Sequence, residues 1–125
     1  KLAKILVVDD EEDFLISMSS ILVDEGYEVI TAQNGTRALH LIDEERPDLV
    51  LTDIVMPDVS GLQLARSIRQ GVSKLIPIIS ITGYPFRDDI SVSGPRLVDL
   101  YLTKPIQIAD LLTALAICLE GRIIT

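Results

Sequence analysis

Three observations predict an α/β domain built on a parallel sheet. Short apolar runs alternate with segments of helical spacing, five of each along the 125 residues. Regular alternation of this kind implies right-handed crossovers, which put the same end of every strand on one edge of the sheet. The strand-like runs also end in chemistry-bearing residues, Asp9-Asp10, Asp53, Thr82 and Lys104. In open α/β sheets that carboxyl edge is where ligands bind.

Residues 3–8 are apolar except for Lys4 and read as a strand buried on both faces. The run ends in Asp9-Asp10-Glu11-Glu12-Asp13, and a helix follows with Phe14, Leu15, Met18, Ile21 and Leu22 at helical spacing. Asp10 is the expected N-cap, the acids suit the positive end of the helix dipole, and Gly26 is the expected stop. A second strand is expected over 27–31. Asn34-Gly35 is a turn signal, and a helix over 36–45 turns Ala38, Leu41 and Ile42 inward before Pro47 stops it.

The third strand, over 48–52, leads to Asp53, with Pro57 and Gly61 breaking the chain soon after. A helix over 61–70 is expected to bury Leu62, Ala65 and Ile68 and to end at Gly71. The fourth strand spans 76–81, with Pro77 near its start where proline is tolerated, and runs into Thr82-Gly83. Over 84–96 the pattern is loop-like, with a short or distorted helix at 90–93 interrupted by Gly94-Pro95. The fifth strand, over 97–102, leads to Thr103-Lys104-Pro105. A last helix over 108–120 has Leu111, Leu112, Leu115, Ile117 and Leu119 as its apolar residues, ends at Gly121, and leaves 122–125 as a linker stub.

A chain of this length suits one domain, residues 1–125, with one sizeable core. Apolar residues make up 48%, charged residues 24% and aromatics only 4%, so a globular protein with an aliphatic core is expected. No apolar run reaches the length of a membrane-spanning helix, and Lys1-Leu2-Ala3-Lys4 leads straight into a strand-like run rather than a signal peptide. Residue 1 is not Met, which predicts a piece cut from a longer protein. One cysteine, Cys118, excludes an internal disulfide and fits a reducing, cytoplasmic setting. A formal net charge of −8 argues against non-specific nucleic-acid binding, and no membrane contact is expected.

If the first and third strands are neighbours, Asp9, Asp10 and Asp53 converge. Two like charges about 4 Å apart cost on the order of 4 kcal/mol at an effective dielectric near 20. Such a cluster must raise a pKa, bind a cation, or both. Mg²⁺ suits it best, being held by one or two carboxylates with waters and phosphate oxygens completing its shell.

These residues, taken in order, resemble the receiver domain of two-component response regulators. The matching segments are Ile5-Leu6-Val7-Val8-Asp9-Asp10-Glu11, Ala32-Gln33-Asn34-Gly35, and Pro47-Asp48-Leu49-Val50-Leu51-Thr52-Asp53-Ile54-Val55-Met56-Pro57 with Gly61. The strand from Ile78 to Thr82-Gly83 and the segment Tyr101-Leu102-Thr103-Lys104-Pro105 complete the match. Each motif is modest alone, but their order and spacing cover nearly the whole chain.

The resemblance implies a doubly wound, flavodoxin-like sheet of five parallel strands in the order 2-1-3-4-5. It implies that Asp53 accepts a phosphoryl group from a phosphohistidine of a sensor kinase or phosphotransfer protein. Asp10 and Asp53 would ligate Mg²⁺ with the backbone carbonyl of Val55, and Asp9 would act through a metal-bound water. Lys104 would pair with a phosphoryl oxygen, Thr82 would hydrogen-bond another, and Tyr101 would turn inward as Thr82 moves. A cis Lys104-Pro105 bond would aim the ammonium. The implied role is a switch controlling an effector or attached output domain, as a monomer or weak dimer that catalyses its own phosphorylation and dephosphorylation but is not a conventional turnover enzyme.

The chain departs from the family pattern over 83–100. Gly83 stands where a small residue such as Ala is usual, and Ser93-Gly94-Pro95-Arg96-Leu97-Val98-Asp99 replaces an Ala-rich helix and its turn. Two other classes were weighed. An aspartate-nucleophile phosphatase needs a second acid two residues after the nucleophile, and Val55 stands there. A non-phosphorylated interaction module is motivated only by the unusual 83–100 segment. An EF-hand reading of the first acidic run fails because Phe14 occupies the position that must be glycine. His40 reads as a partly exposed helix residue rather than a phosphodonor, and Cys118 as core.

Overall fold

The computed structural model describes residues 3–54, 56, 60–71, 75–83 and 97–124, with side chains as far as 119. The elements are β1 (Lys4–Val8), α1 (Glu12–Asp24), β2 (Glu28–Ala32), α2 (Gly35–Glu45), β3 (Leu49–Asp53), α3 (Gly61–Arg69), β4 (Ile78–Thr82), β5 (Leu100–Thr103) and α4 (Ile108–Ile124). The strands form one sheet, all parallel, in the order β2-β1-β3-β4-β5. The helix expected at 90–93 lies outside the described residues, as does Val55.

Every residue of β3 and β4 is buried, as expected for central strands covered on both faces. Alternation divides the core into two layers. Leu6, Val8, Val50 and Ile78 pack under α2 and α3 with Ala38, Leu41, Ile42, Leu64, Ala65 and Ile68. Ile5, Val7, Leu49, Leu51, Ile79 and Ile81 pack under α1 and α4 with Leu15, Met18, Leu22, Leu111 and Leu115.

Several helix details differ from the sequence reading. Asp10 does not cap α1. Glu11 occupies the N-cap position with no side-chain cap, and Asp9 Oδ1 instead accepts the Glu11 N–H at 2.9 Å. The acid run offers several oxygens to one helix start, and the buried residue preceding the bend reaches the amide. In α3 the buried leucine is Leu64, not Leu62, which is only partly covered. The helix uses Gly61, Leu64, Ala65 and Ile68 as its inner face, and a capping box between Ser60 and Gln63 starts it.

Gly121 does not end α4, which continues to Ile124. Glycine inside a helix costs about 1 kcal/mol, and none of residues 122–125 is proline. Ile117 is 58% exposed, and Ala114 is buried beside Leu111 and Leu115. Gly26 does close α1, with φ of +96° and its N–H on Val23 O at 2.9 Å.

At the amino edge of the sheet, charges are closed off. The Lys4 backbone N–H donates to Asp48 at 2.8 Å, and its ammonium lies 3.0 Å from Glu45 and 3.9 Å from Glu28. Arg69, the last residue of α3, donates to Leu97 O at 3.1 Å, Ile76 O at 2.6 Å and the Asp99 carboxylate at 2.9 Å. That same Asp99 oxygen accepts the Ile78 N–H at 2.8 Å, so one guanidinium ties α3 to the starts of β4 and β5.

Candidate functional site

The register explains why the site forms. Val8 of β1 lies beside Thr52 of β3, so the next residue on each strand, Asp9 and Asp53, emerges side by side. By alternation both belong to the α1/α4 side of the sheet, the side of Val7 and Leu51. Each of Asp9, Asp10 and Asp53 offers a carboxylate oxygen, and the three lie within 4.8 Å of one another. Asp9 is fully buried, Asp53 is 8% exposed, and Asp10 is open to solvent. An all-carboxylate set at a solvent-facing mouth fits a hard divalent cation that keeps part of its water shell, which is the habit of Mg²⁺.

Lys104 follows β5 through a cis peptide bond to Pro105. Its backbone N–H donates to Thr82 O at 2.7 Å, fixing the β5 end against β4. Its ammonium lies 3.2 Å from Asp9 Oδ2 and 3.5 Å from Asp53 Oδ2. On another side the same nitrogen sits 4.6 Å from the centre of the Phe14 ring. The sequence reading did not single out this contact. Its only signal was an apolar ring directly after the acid run.

Burial pushes the Asp9 carboxyl above its usual range, and the Glu11 amide and Lys104 only partly pull it back. Desolvation therefore leads, ahead of the repulsion from Asp53. Burial alone would lower the Lys104 ammonium, but Asp9 and Asp53 outweigh it and hold the group above its usual value. The ammonium is charged at neutral pH, and it offsets part of the negative charge that the acids concentrate.

Gly61 sets the floor beneath Asp53. Its N–H donates to Ile54 O at 2.8 Å, bringing the start of α3 onto the chain leaving β3. A Cβ built at this position would collide with Asp53 O and lie 2.8 Å from Ile54 Cα, both backbone atoms. Only glycine permits this approach. The buried Thr52 hydroxyl donates to the same Asp53 carbonyl at 2.9 Å.

Thr82 is buried at the last position of β4, one step beyond Ile81, the register partner of Asp53. Tyr101 lies opposite Ser80 on β5, on the Thr82 side of the pleat, and is 40% exposed. The structure thus gathers Asp9, Asp10, Asp53 and Lys104 into one cluster, with Thr82 at the adjoining strand end and Tyr101 on the sheet face that Thr82 shares. A separate cleft on the α2 side of α1, lined by Leu15, Ile16, Ser19, Asn34 and Arg37 among others, includes none of them.

Comparisons with known proteins show the family. The family model described as the response regulator receiver domain matches residues 5–116. The alkaline phosphatase synthesis transcriptional regulatory protein PhoP of Bacillus subtilis is 39% identical over 103 residues, covering 82% of this chain and 42% of that protein. The chain thus spans less than half of that relative. Protein PilH of Pseudomonas aeruginosa is 35% identical over 122 residues, 96% of this chain and 100% of that one. Among solved structures, a response regulator receiver domain protein from Clostridium thermocellum superposes with a TM-score of 0.89 at 32% identity, covering 98% of each chain. Response regulator protein TrrA from Thermotoga maritima, in complex with Mg²⁺-BeF, superposes with a TM-score of 0.84 at 36% identity, covering 94% of this chain and 99% of that one.

Proposed function

The chain belongs to the response regulator receiver domain family of two-component signal transduction, and on that premise we propose that Asp53 accepts a phosphoryl group from a phosphohistidine of a sensor kinase or phosphotransfer protein. The observation that carries this reading is the Lys104 ammonium standing between Asp9 and Asp53, with Asp10 close by. Phosphoryl transfer asks the protein for in-line positioning and for positive charge near the phosphoryl oxygens, and for little else.

In this reading an Asp53 carboxylate oxygen attacks phosphorus, and the bond from phosphorus to the donor breaks. Lys104 leaves its resting partners to pair with one phosphoryl oxygen, and the Thr82 hydroxyl donates to another. Asp10 and Asp53 would hold Mg²⁺, and Asp9 would act on it through a water. When bound, the cation draws negative charge from the transferring phosphoryl oxygens. The Mg²⁺-BeF complex of the TrrA relative supports this assignment. The added phosphoryl brings roughly two negative charges. Thr82 is drawn toward them, and Tyr101, on the same face, follows. The β4–β5 surface then differs between the two states, which is what a cytoplasmic effector or an attached output domain reads.

Incubation with Mg²⁺ and acetyl phosphate, followed by intact-mass measurement, tests the reading. One labile phosphoryl adduct is expected, lost in Asp53→Ala and kept in Asp43→Ala. No adduct in the unaltered protein, or an adduct that survives Asp53→Ala, would sink it.

A further inference from the structure

We propose that Phe14 is a positioning residue for phosphoryl transfer, its ring face holding the Lys104 ammonium in line with Asp53. The inference rests on the assignment of Asp53 as acceptor and adds a residue that acts through Lys104. A lysine stem has four rotatable carbons and a compact ammonium that solvent pulls outward. At this site the ammonium is directed from two sides by Asp9 Oδ2 at 3.2 Å and Asp53 Oδ2 at 3.5 Å. Two anions alone leave it free to slide along the fork between them. The Phe14 ring, centred 4.6 Å away, closes another side with the negative face of its π system.

Phe14 is itself held. It lies in the first turn of α1, partly buried against the layer that includes Ile5, Val7, Leu51 and Leu111. The ring therefore cannot follow the ammonium outward, and its apolar body keeps water from that flank of the group. A residue present only to fill the core would not need its face beneath a cation. The two roles separate by substitution: leucine keeps the bulk and loses the π face, whereas tyrosine and tryptophan keep both.

Acetyl phosphate serves as the probe. An Asp53 carboxylate oxygen bonds to phosphorus, the bond from phosphorus to the acetyl oxygen breaks, and acetate leaves with the electron pair. No other reactant is needed. At saturating Mg²⁺, Phe14→Leu is expected to lower the maximal rate of adduct formation about three- to tenfold, the size of a partly desolvated cation–π contact. The acetyl phosphate concentration giving half the maximal rate should stay unchanged. Phe14→Tyr and Phe14→Trp should restore most of the rate. The Lys104 Cε protons should show an upfield ring-current shift in the unaltered protein and the aromatic variants, absent in Phe14→Leu.

If Phe14→Leu loses its fold, Phe14→Met supplies the same contrast. A Leu or Met variant that reacts at the full rate overturns the inference while leaving Asp53 as acceptor. Aromatic variants as slow as Phe14→Leu also overturn it, because packing would then be the cause. No adduct in the unaltered protein overturns the acceptor assignment and this inference together.

Discussion

The two edges of the sheet are built from the same kinds of charge and used in opposite ways. At the amino edge, Lys4 meets Glu45 and Glu28, and Arg69 meets Asp99 and two carbonyls. Each cation there has a carboxylate partner within 3.0 Å, and each clasp joins the end of a helix to the start of a strand. At the carboxyl edge, three carboxylates converge and the Lys104 ammonium reaches two of them, Asp9 and Asp53. A surplus of negative charge is retained, at a cost to the folded state that a ligand can relieve. Clasps that are already satisfied serve stability. A cluster left short of positive charge is available for chemistry.

The sharpest way to break this contrast is at Arg69. Arg69→Met keeps the aliphatic stem but removes the donors to Ile76 O, Leu97 O and Asp99. A loss of about 3 kcal/mol is expected by denaturant unfolding, because carbonyls in a partly buried position are left without their donor. Mg²⁺ affinity, followed by titration of the folded variant, should stay within about twofold. If affinity falls in step with stability, the edges are not separable.

Gly61→Ala comes next and strikes the opposite edge. The added methyl meets the backbone of Asp53 and Ile54, so α3 must move away, at a cost of about 2 kcal/mol. Unlike Arg69→Met, this change should also slow adduct formation on the fraction that remains folded. A stable variant with an unchanged rate would show that α3 does not set the position of Asp53.

Asp9→Asn reverses the sign. The buried carboxylate costs stability in the metal-free protein, and asparagine can still accept the Glu11 N–H. A gain of about 1 kcal/mol at neutral pH is expected, measured in chelator, together with a smaller rise in melting temperature when Mg²⁺ is added. The pH dependence follows from the same group. Its folded pKa lies above the unfolded value of about 3.9, so the native state binds more protons. The stability this contributes is complete below about pH 4 and is lost as pH rises through the folded pKa. Curves for the unaltered protein and Asp9→Asn should therefore meet in acid and separate toward neutral pH. Parallel curves would mean that Asp9 is not the group responsible.

The smallest effect belongs to Lys4→Met, at the exposed end of the amino edge. Salt should weaken it further, since its partners Glu28 and Glu45 face solvent. A melting temperature that responds more strongly here than at Arg69 would invert the ranking of the two clasps.

Sequence patterns predicted some elements better than others, for identifiable reasons. In α2, Asn34 accepts the Arg37 N–H at 2.8 Å, and Ala38, Leu41 and Ile42 are all buried. A turn signal, a period and a following proline agree there. At α1, a run of consecutive acids offers several equivalent caps, and local pattern cannot choose among them. In α3, both Leu62 and Leu64 fit a helical stripe through Ala65 and Ile68, and only the tight approach of Gly61 to β3 sets the phase.

The strand-end residues could be listed from the chain alone. Their convergence could not, because it depends on β1 lying beside β3, and the family likeness supplied that strand order. The contact of Phe14 with Lys104 was out of reach for a related reason: it joins the first helix to the last strand end across the sheet.

Asp9 already has a neighbour at each oxygen, the Glu11 amide on one and the Lys104 ammonium on the other. The tethered ammonium acts as a resident counterion, so the sheet can assemble before any dissolved ion reaches it. On the proposed reading, a divalent cation would compete with that ammonium for the same carboxylates, and its binding would free the lysine for an incoming anion.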